Sequence, residues 1–168
     1  MNYIFLDIDG VLNNKDYILL HKEKLASIDE SKLKLLSDFC NKYNCNVILS
    51  SSWRSTLNDN LLPLKDFITL FNGDKTLSRG KYMIDLFKTY NLPLLGKTTN
   101  YKTFRGDQIL DYVENNFSDN DHFVILDDED DKISYYFGDR FIKTDFYGEG
   151  LTENHLNLIK SKLNLKEN

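Results

Sequence analysis

The run Tyr3-Ile4-Phe5-Leu6 is apolar without a break and stops at Asp7, the pattern of a strand buried on both faces with its carboxyl end at that aspartate. After a polar stretch, Ile28, Leu33, Leu35, Leu36, Phe39 and Tyr43 recur near helical spacing, and Asp29 is placed to cap the first turn. Cys45-Asn46-Val47-Ile48-Leu49 predicts a second strand, ending at Ser50-Ser51-Ser52. Strand, helix, strand is one right-handed crossover unit.

Farther along, Trp53 to Leu62 predicts a short helix closed by Pro63, and Lys81 to Tyr90 fits a helix only partly through Tyr82, Ile84, Leu86 and Phe87. Gly106 to Asn116 predicts a helix through Ile109, Leu110, Val113 and Phe117. His122 to Leu126 then predicts a strand that ends at Asp127-Asp128. A short helix at Ile133 to Phe137, a strand at Arg140 to Thr144 and a last helix capped by Thr152 complete the pattern. Alternating strands and helices predict an α/β fold, a Rossmann-like three-layer sandwich with a mainly parallel central sheet. One domain is expected over residues 1–168, and the 58–102 stretch leaves room for a small cap or insertion rather than a large independent cap.

Composition adds limits rather than direction. The 168 residues are 41% hydrophobic and 28% charged, as in ordinary globular domains. A net charge of -5 argues against broad, sequence-independent nucleic-acid binding, which needs a basic face, though not against a local basic pocket. A strand beginning at Tyr3 leaves no space for a signal peptide, and no apolar run approaches the roughly 20 residues that span a bilayer. The expectation is a soluble, cytoplasmic protein with no membrane segment and no obligate protein partner. Cys40 and Cys45 match neither a redox pair nor a zinc knuckle and read as reduced packing residues.

Three predicted strands end in polar clusters: Asp7-Ile8-Asp9-Gly10, Ser50-Ser51-Ser52 and Asp127-Asp128. In open α/β sheets ligands bind outside the carboxyl ends of the strands, so these clusters are expected to converge. Carboxylates gathered that closely repel unless a cation sits among them, and an all-oxygen site suits Mg²⁺.

The segment Phe5 to Leu12 resembles the first motif of the haloacid dehalogenase superfamily, a hydrophobic run followed by DxDG[VT]L. Ile48-Leu49-Ser50 resembles its second motif and Ile125-Leu126-Asp127-Asp128 its acidic fourth. Leu49-Ser50-Ser51-Ser52-Trp53-Arg54, Arg105-Gly106-Asp107-Gln108-Ile109 and Gly150-Leu151-Thr152 are similar to the small domains of that superfamily found in Swiss army knife RNA repair proteins. The similarity runs from Tyr3 to Thr152.

The resemblance implies a Mg²⁺-dependent phosphomonoester hydrolase in which Asp7 is the nucleophile and Asp9 the general acid/base. It implies that Ser50 binds a phosphoryl oxygen beside the Ser51 amide, and that Asp7, the Asp9 carbonyl, Asp127 and Asp128 hold the metal. Arg105 is assigned the third-motif cation, with Lys102 and Lys97 as rivals. Arg54 and Lys102 are further candidates for contact with substrate. A nucleotide or a nucleic-acid end is the expected phosphorylated partner. Two rival classes stay open: a phosphotransferase with a non-water acceptor, and a catalytically silent phosphate-binding module.

Plainer readings stand beside these. Asp7 and Asp9 could be turn residues before a glycine, Ser50 to Ser52 a helix cap, and the acidic run from Asp127 to Asp131 a solvated loop. Asp131 reaches the metal shell only if its loop curls back. Trp53 reads as core near the site mouth, and Arg54 as either a structural ion-pair partner or a phosphate contact. His21, His122 and His155 lack partners at ligand spacing and read as structural or exposed.

Overall fold

The computed structural model describes residues 1–21, 27–64, 69–72 and 75–166, with 69–72 and 75–77 described as backbone only. Residues 65–68 and 73–74, inside the stretch expected to form a small cap or insertion, lie outside the described residues.

Five strands form one parallel sheet: β1 (Asn2–Leu6), β2 (Cys45–Leu49), β5 (Leu94–Lys97), β6 (His122–Asp127) and β7 (Phe141–Lys143). Their spatial order is β5-β2-β1-β6-β7. Two further strands, β3 (Thr69–Asn72) and β4 (Lys75–Ser78), pair antiparallel as a separate hairpin. The helices are α1 (Lys15–His21), α2 (Glu30–Tyr43), α3 (Arg79–Thr89), α4 (Arg105–Asn116), α5 (Ile133–Phe137) and α6 (Glu153–Lys162). The α/β expectation with a parallel central sheet is borne out. Among the described residues, no helix is long and apolar enough to cross a membrane.

The continuous apolar runs of the central strands follow from this layering. On β1, Ile4 and Leu6 join one buried cluster and Tyr3 and Phe5 the other; β6 divides the same way, Val124 and Leu126 against Phe123 and Ile125. Successive side chains of a strand point to opposite faces, so a sheet covered on both faces needs apolar residues at every position. Leu33, Leu36, Phe39 and Cys40 of α2 cover the first face with Leu156 and Ile159 of α6, while Ile109 of α4 and Ile133 of α5 cover the second.

Several elements differ from the sequence expectation. The helix expected from Trp53 to Leu62 is a 3₁₀ turn over Ser52–Thr56 only. Leu57 then bridges to Pro63, and the Asn58 side chain accepts from the Asn60 and Leu62 amides, closing a loop instead of a second helical turn. The partial pattern at Lys81 to Tyr90 is a regular helix because its buried positions are Gly80, Met83, Ile84 and Phe87, a spacing the partly exposed Tyr82 and Leu86 obscure. Helix α1 buries no residue and so left no amphipathic signal. Strand β5 is a four-residue edge strand containing Gly96.

The chain builds β1, β2 and β5 to one side and returns across β1 to build β6 and β7 on the other. That reversal opens a crevice at the carboxyl ends of β1 and β6, where parallel sheets bind ligands.

Candidate active site

Register sets the site. Leu6 pairs with Leu49 on one side and Leu126 on the other, so the next residues, Asp7, Ser50 and Asp127, stand at one level along the carboxyl edge of the sheet. The ladder holds them there: the Asp7 amide donates to Leu126 O at 3.0 Å and the Ser50 amide to Leu6 O at 2.9 Å. Carboxylate oxygens of Asp7, Asp127 and Asp128 all lie within 4.8 Å of one another. Gly10 makes room for this cluster, since its φ is +74° and a Cβ there would stand 2.4 Å from Asp128 Cγ.

Arg105 balances part of the charge. Its guanidinium lies 2.7 Å from Asp127 Oδ2 and 3.2 Å from Asp7 Oδ1 through the same nitrogen. Burial alone would lower the Arg105 pKa, but the Asp127 and Asp7 carboxylates outweigh it and raise the value. The residue opens α4, whose start is held by Asp131: the Asp131 carboxylate accepts from the Arg105 amide at 2.6 Å, and its carbonyl from the Gly106 amide at 3.0 Å. A Cβ on Gly106 would meet the Lys132 carbonyl at 2.5 Å, so only glycine lets this turn pack on the helix. Asp131 therefore acts as a helix cap and does not curl into the carboxylate cluster. Of the rival bases, Lys97 donates to Leu57 O at 2.9 Å and faces Asp59 at 3.6 Å. Lys102 is exposed, and its carbonyl accepts from Gln108.

Arg105 does not by itself settle three carboxylates. Burial first, then the neighbouring acids, push Asp7 and Asp127 above the ordinary carboxylate range, and Asp128 is raised to about 6 by burial and by Asp7. In Asp7 the Arg105 charge and a hydrogen bond from Ser51 work in the opposite direction. A cluster whose charged form is disfavoured by burial and by its own neighbours fits a hard divalent cation, which would offset that charge directly. Asp7, Asp127 and Asp128 are the side chains that would hold it.

Asp9 is arranged differently. Its carboxylate accepts from Asn13 Nδ2 at 2.8 Å on one oxygen and from Trp53 Nε1 at 3.0 Å on the other. Asn13, fully buried, is fixed in turn by the Gly10 amide at 2.9 Å and by donation to Ser27 O at 2.5 Å. Sequence reading placed Trp53 only near the site mouth and gave Asn13 no role. The available signal was their position just beyond the two motifs, Asn13 four residues after Asp9 and Trp53 three after Ser50.

The serine loop carries two distinct hydroxyls. Ser51 accepts from the Trp53 amide as the cap of the 3₁₀ turn and donates to Asp7, so capping and site roles coincide. Ser50 Oγ is buried with no hydrogen-bond partner among the described residues. An unpaired buried hydroxyl is costly, and beside a carboxylate cluster it is suited to an incoming oxyanion. Arg54, expected near the substrate, is 5% exposed and braces this loop from within. It donates to Ser50 O and Ser51 O, both at 2.7 Å, to Thr99 O at 3.3 Å and to Gln108 Oε1 at 2.6 Å. Four of its five N–H donors are thereby spent on protein acceptors. Burial is the main reason its pKa falls to about 10.

Late in the chain, the Leu151 amide donates to Val11 O at 2.9 Å and ties the Gly150-Leu151 turn to the loop after β1. His155 completes the reciprocal cap of α6 with Thr152, a structural role.

The model of one protein family, described as the HAD domain in Swiss Army Knife RNA repair proteins, matches residues 3–156. No curated protein and no solved structure matches the chain. Members of the wider superfamily are phosphatases and related hydrolases that typically use a divalent metal. With its family match running from β1 into α6, the chain belongs to the HAD domains of Swiss Army Knife RNA repair proteins.

Proposed function

We propose that this protein is a Mg²⁺-dependent phosphomonoester hydrolase acting through an aspartyl-phosphate on Asp7, with nucleotides or nucleic-acid ends as substrates. The observation that carries the reading is the setting of Asp7: Arg105 at 3.2 Å, two further carboxylates within 4.8 Å, and a second aspartate two residues on whose carboxylate is oriented by two donors.

In this reading an Asp7 oxygen attacks phosphorus, the bond to the leaving oxygen breaks, and Asp9 supplies that oxygen with a proton. Asp9 then takes a proton from the water that attacks the phospho-aspartate, regenerating Asp7 and releasing phosphate. Ser50 Oγ and Arg105 bind the transferring phosphoryl oxygens, whose charge they are preorganised to meet. The divalent ion, held by Asp7, Asp127 and Asp128, would offset the negative charge of nucleophile and phosphate. The paired Asn13 and Trp53 donors favour an oriented Asp9 carboxylate, as an acid that must become a base requires.

The test is hydrolysis of an aryl phosphate with and without Mg²⁺, by wild type and Asp7→Asn. Metal-dependent turnover that is lost in an Asp7→Asn variant that remains folded is expected; turnover in that variant overturns the mechanism. Release of inorganic phosphate without added acceptor distinguishes hydrolysis from phosphotransfer.

A further inference from the structure

Arg79 has no part in the chemistry above, and its surroundings do not account for it. It occupies the first turn of α3, directly after the Ser78 cap, where the helix macrodipole presents its positive end and disfavours a cation. That turn contains no acidic residue to compensate. Lys81, two residues on, is paired with Asp85 at 2.5 Å, one turn along the helix. Arg79 has no such partner among the described residues: its Nε is buried without an acceptor, and its guanidinium lies over the Trp53 ring, 4.7 Å from the centroid.

Trp53 is the residue whose indole N–H holds Asp9. Arg79 thus lies over the face of the ring whose N–H holds the group proposed to protonate the leaving oxygen, one residue removed from where that oxygen would depart. A guanidinium held over an aromatic face, with donors unspent, offers a planar fork that matches a phosphate. A protein of net charge -5 gains little from long-range attraction of a polyanion and needs such a local contact instead.

We infer that Arg79 receives a second phosphate borne by the leaving group, which makes the preferred substrate one with a phosphate next to the phosphate that is cleaved. The inference rests on the phosphohydrolase reading. Two sources share this chemistry, the backbone diester of an end-phosphorylated oligonucleotide and the second ester of a nucleoside bisphosphate.

Wild type, Arg79→Met and Arg79→Lys are compared on a nucleoside monophosphate, a nucleoside bisphosphate and an end-phosphorylated trinucleotide at two salt concentrations. Arg79→Met is expected to lower kcat/KM for the two-phosphate substrates by at least about tenfold more than for the monophosphate, chiefly through KM. It should also reduce the salt slope of the trinucleotide reaction by about one. Arg79→Lys, which keeps the charge without the fork, is expected to fall between. A selective loss on the trinucleotide alone assigns the site to the backbone diester, and a loss on both assigns it to any second phosphate. An equal loss on all three substrates, or none, overturns the inference. Anisotropy of a labelled trinucleotide bound to Asp7→Asn, against Asp7→Asn with Arg79→Met, reads the same contact without turnover; equal affinities there overturn the Arg79 site even if the protein proves not to hydrolyse phosphomonoesters.

Discussion

Replacing Trp53 by Phe isolates one link in the site, the indole donor that fixes Asp9. The change removes the N–H at 3.0 Å from Asp9 Oδ2, leaves the Asn13 bond at 2.8 Å on the other oxygen, and keeps an aromatic face beneath Arg79. A hydrogen bond to a charged group is worth about 1.5–3 kcal/mol, and each 1.36 kcal/mol is a factor of ten, so losing full orientation of Asp9 costs roughly tenfold to a hundredfold in rate. The loss should fall where proton donation matters. With an aryl phosphate whose leaving group departs as a stable phenolate, kcat should drop severalfold or less; with alkyl phosphates it should drop by the full factor. A series of leaving groups of rising pKa, assayed for kcat with each variant's melting temperature, reads this out. Asp9→Asn should show the same trend more strongly, by at least about 10²-fold. A uniform loss across the series would mean that Trp53 only fills the core, and an unchanged profile would remove the indole from the mechanism.

The acid cluster predicts a linkage between pH, metal and stability. Asp128, raised to about 6, binds its proton more tightly folded than unfolded. Its stabilising contribution is therefore fully present below about pH 4 and lost as pH rises through about 6, with Asp7 and Asp127 acting in the same direction. Mg²⁺ should raise the melting temperature of the metal-free protein more at pH 8 than at pH 5; thermal scans showing the opposite order would refute the metal assignment. Arg105→Ala should weaken phosphate inhibition and lower kcat by about 10²-fold or more, because only Arg105 of the three candidate bases lies against Asp7; steady-state kinetics in which Lys97→Ala or Lys102→Ala is more damaging would reverse that ranking. Gly10→Ala combines a φ of +74° with a Cβ 2.4 Å from Asp128 Cγ, so Mg²⁺ titrations should show weakened affinity beyond the roughly 1–2 kcal/mol of backbone strain seen in its melting curve.

The layering and most of the site were legible in the chain because both depend on local signals. Short, mostly apolar runs at Tyr3 to Leu6, Cys45 to Leu49 and His122 to Leu126 fit strands covered on both faces, and the polar residues after each marked the carboxyl edge where ligands bind. Asp29 and Thr152 announced the starts of α2 and α6 by their capping chemistry. Elements without such a signal were missed: α1 buries nothing, and β5 is short and half-exposed at the sheet edge.

What the tertiary structure decided is how long side chains spend their donors and acceptors, since that depends on neighbours far away in sequence. Arg54 and Arg105 are alike in sequence terms, each beside a motif, yet one is folded inward onto Ser50, Ser51, Thr99 and Gln108 while the other spans Asp7 and Asp127. Asp131 belongs to an acidic run that periodicity cannot divide, and packing of its loop against α4 makes it a cap. Trp53 and Arg79 lie 26 residues apart and acquire their relation to Asp9 only when α3 packs against the 3₁₀ turn. Strand identity is written in a few consecutive residues by the twofold alternation of the backbone; the partner of a guanidinium or an indole N–H is a matter of three-dimensional reach, which no local pattern encodes.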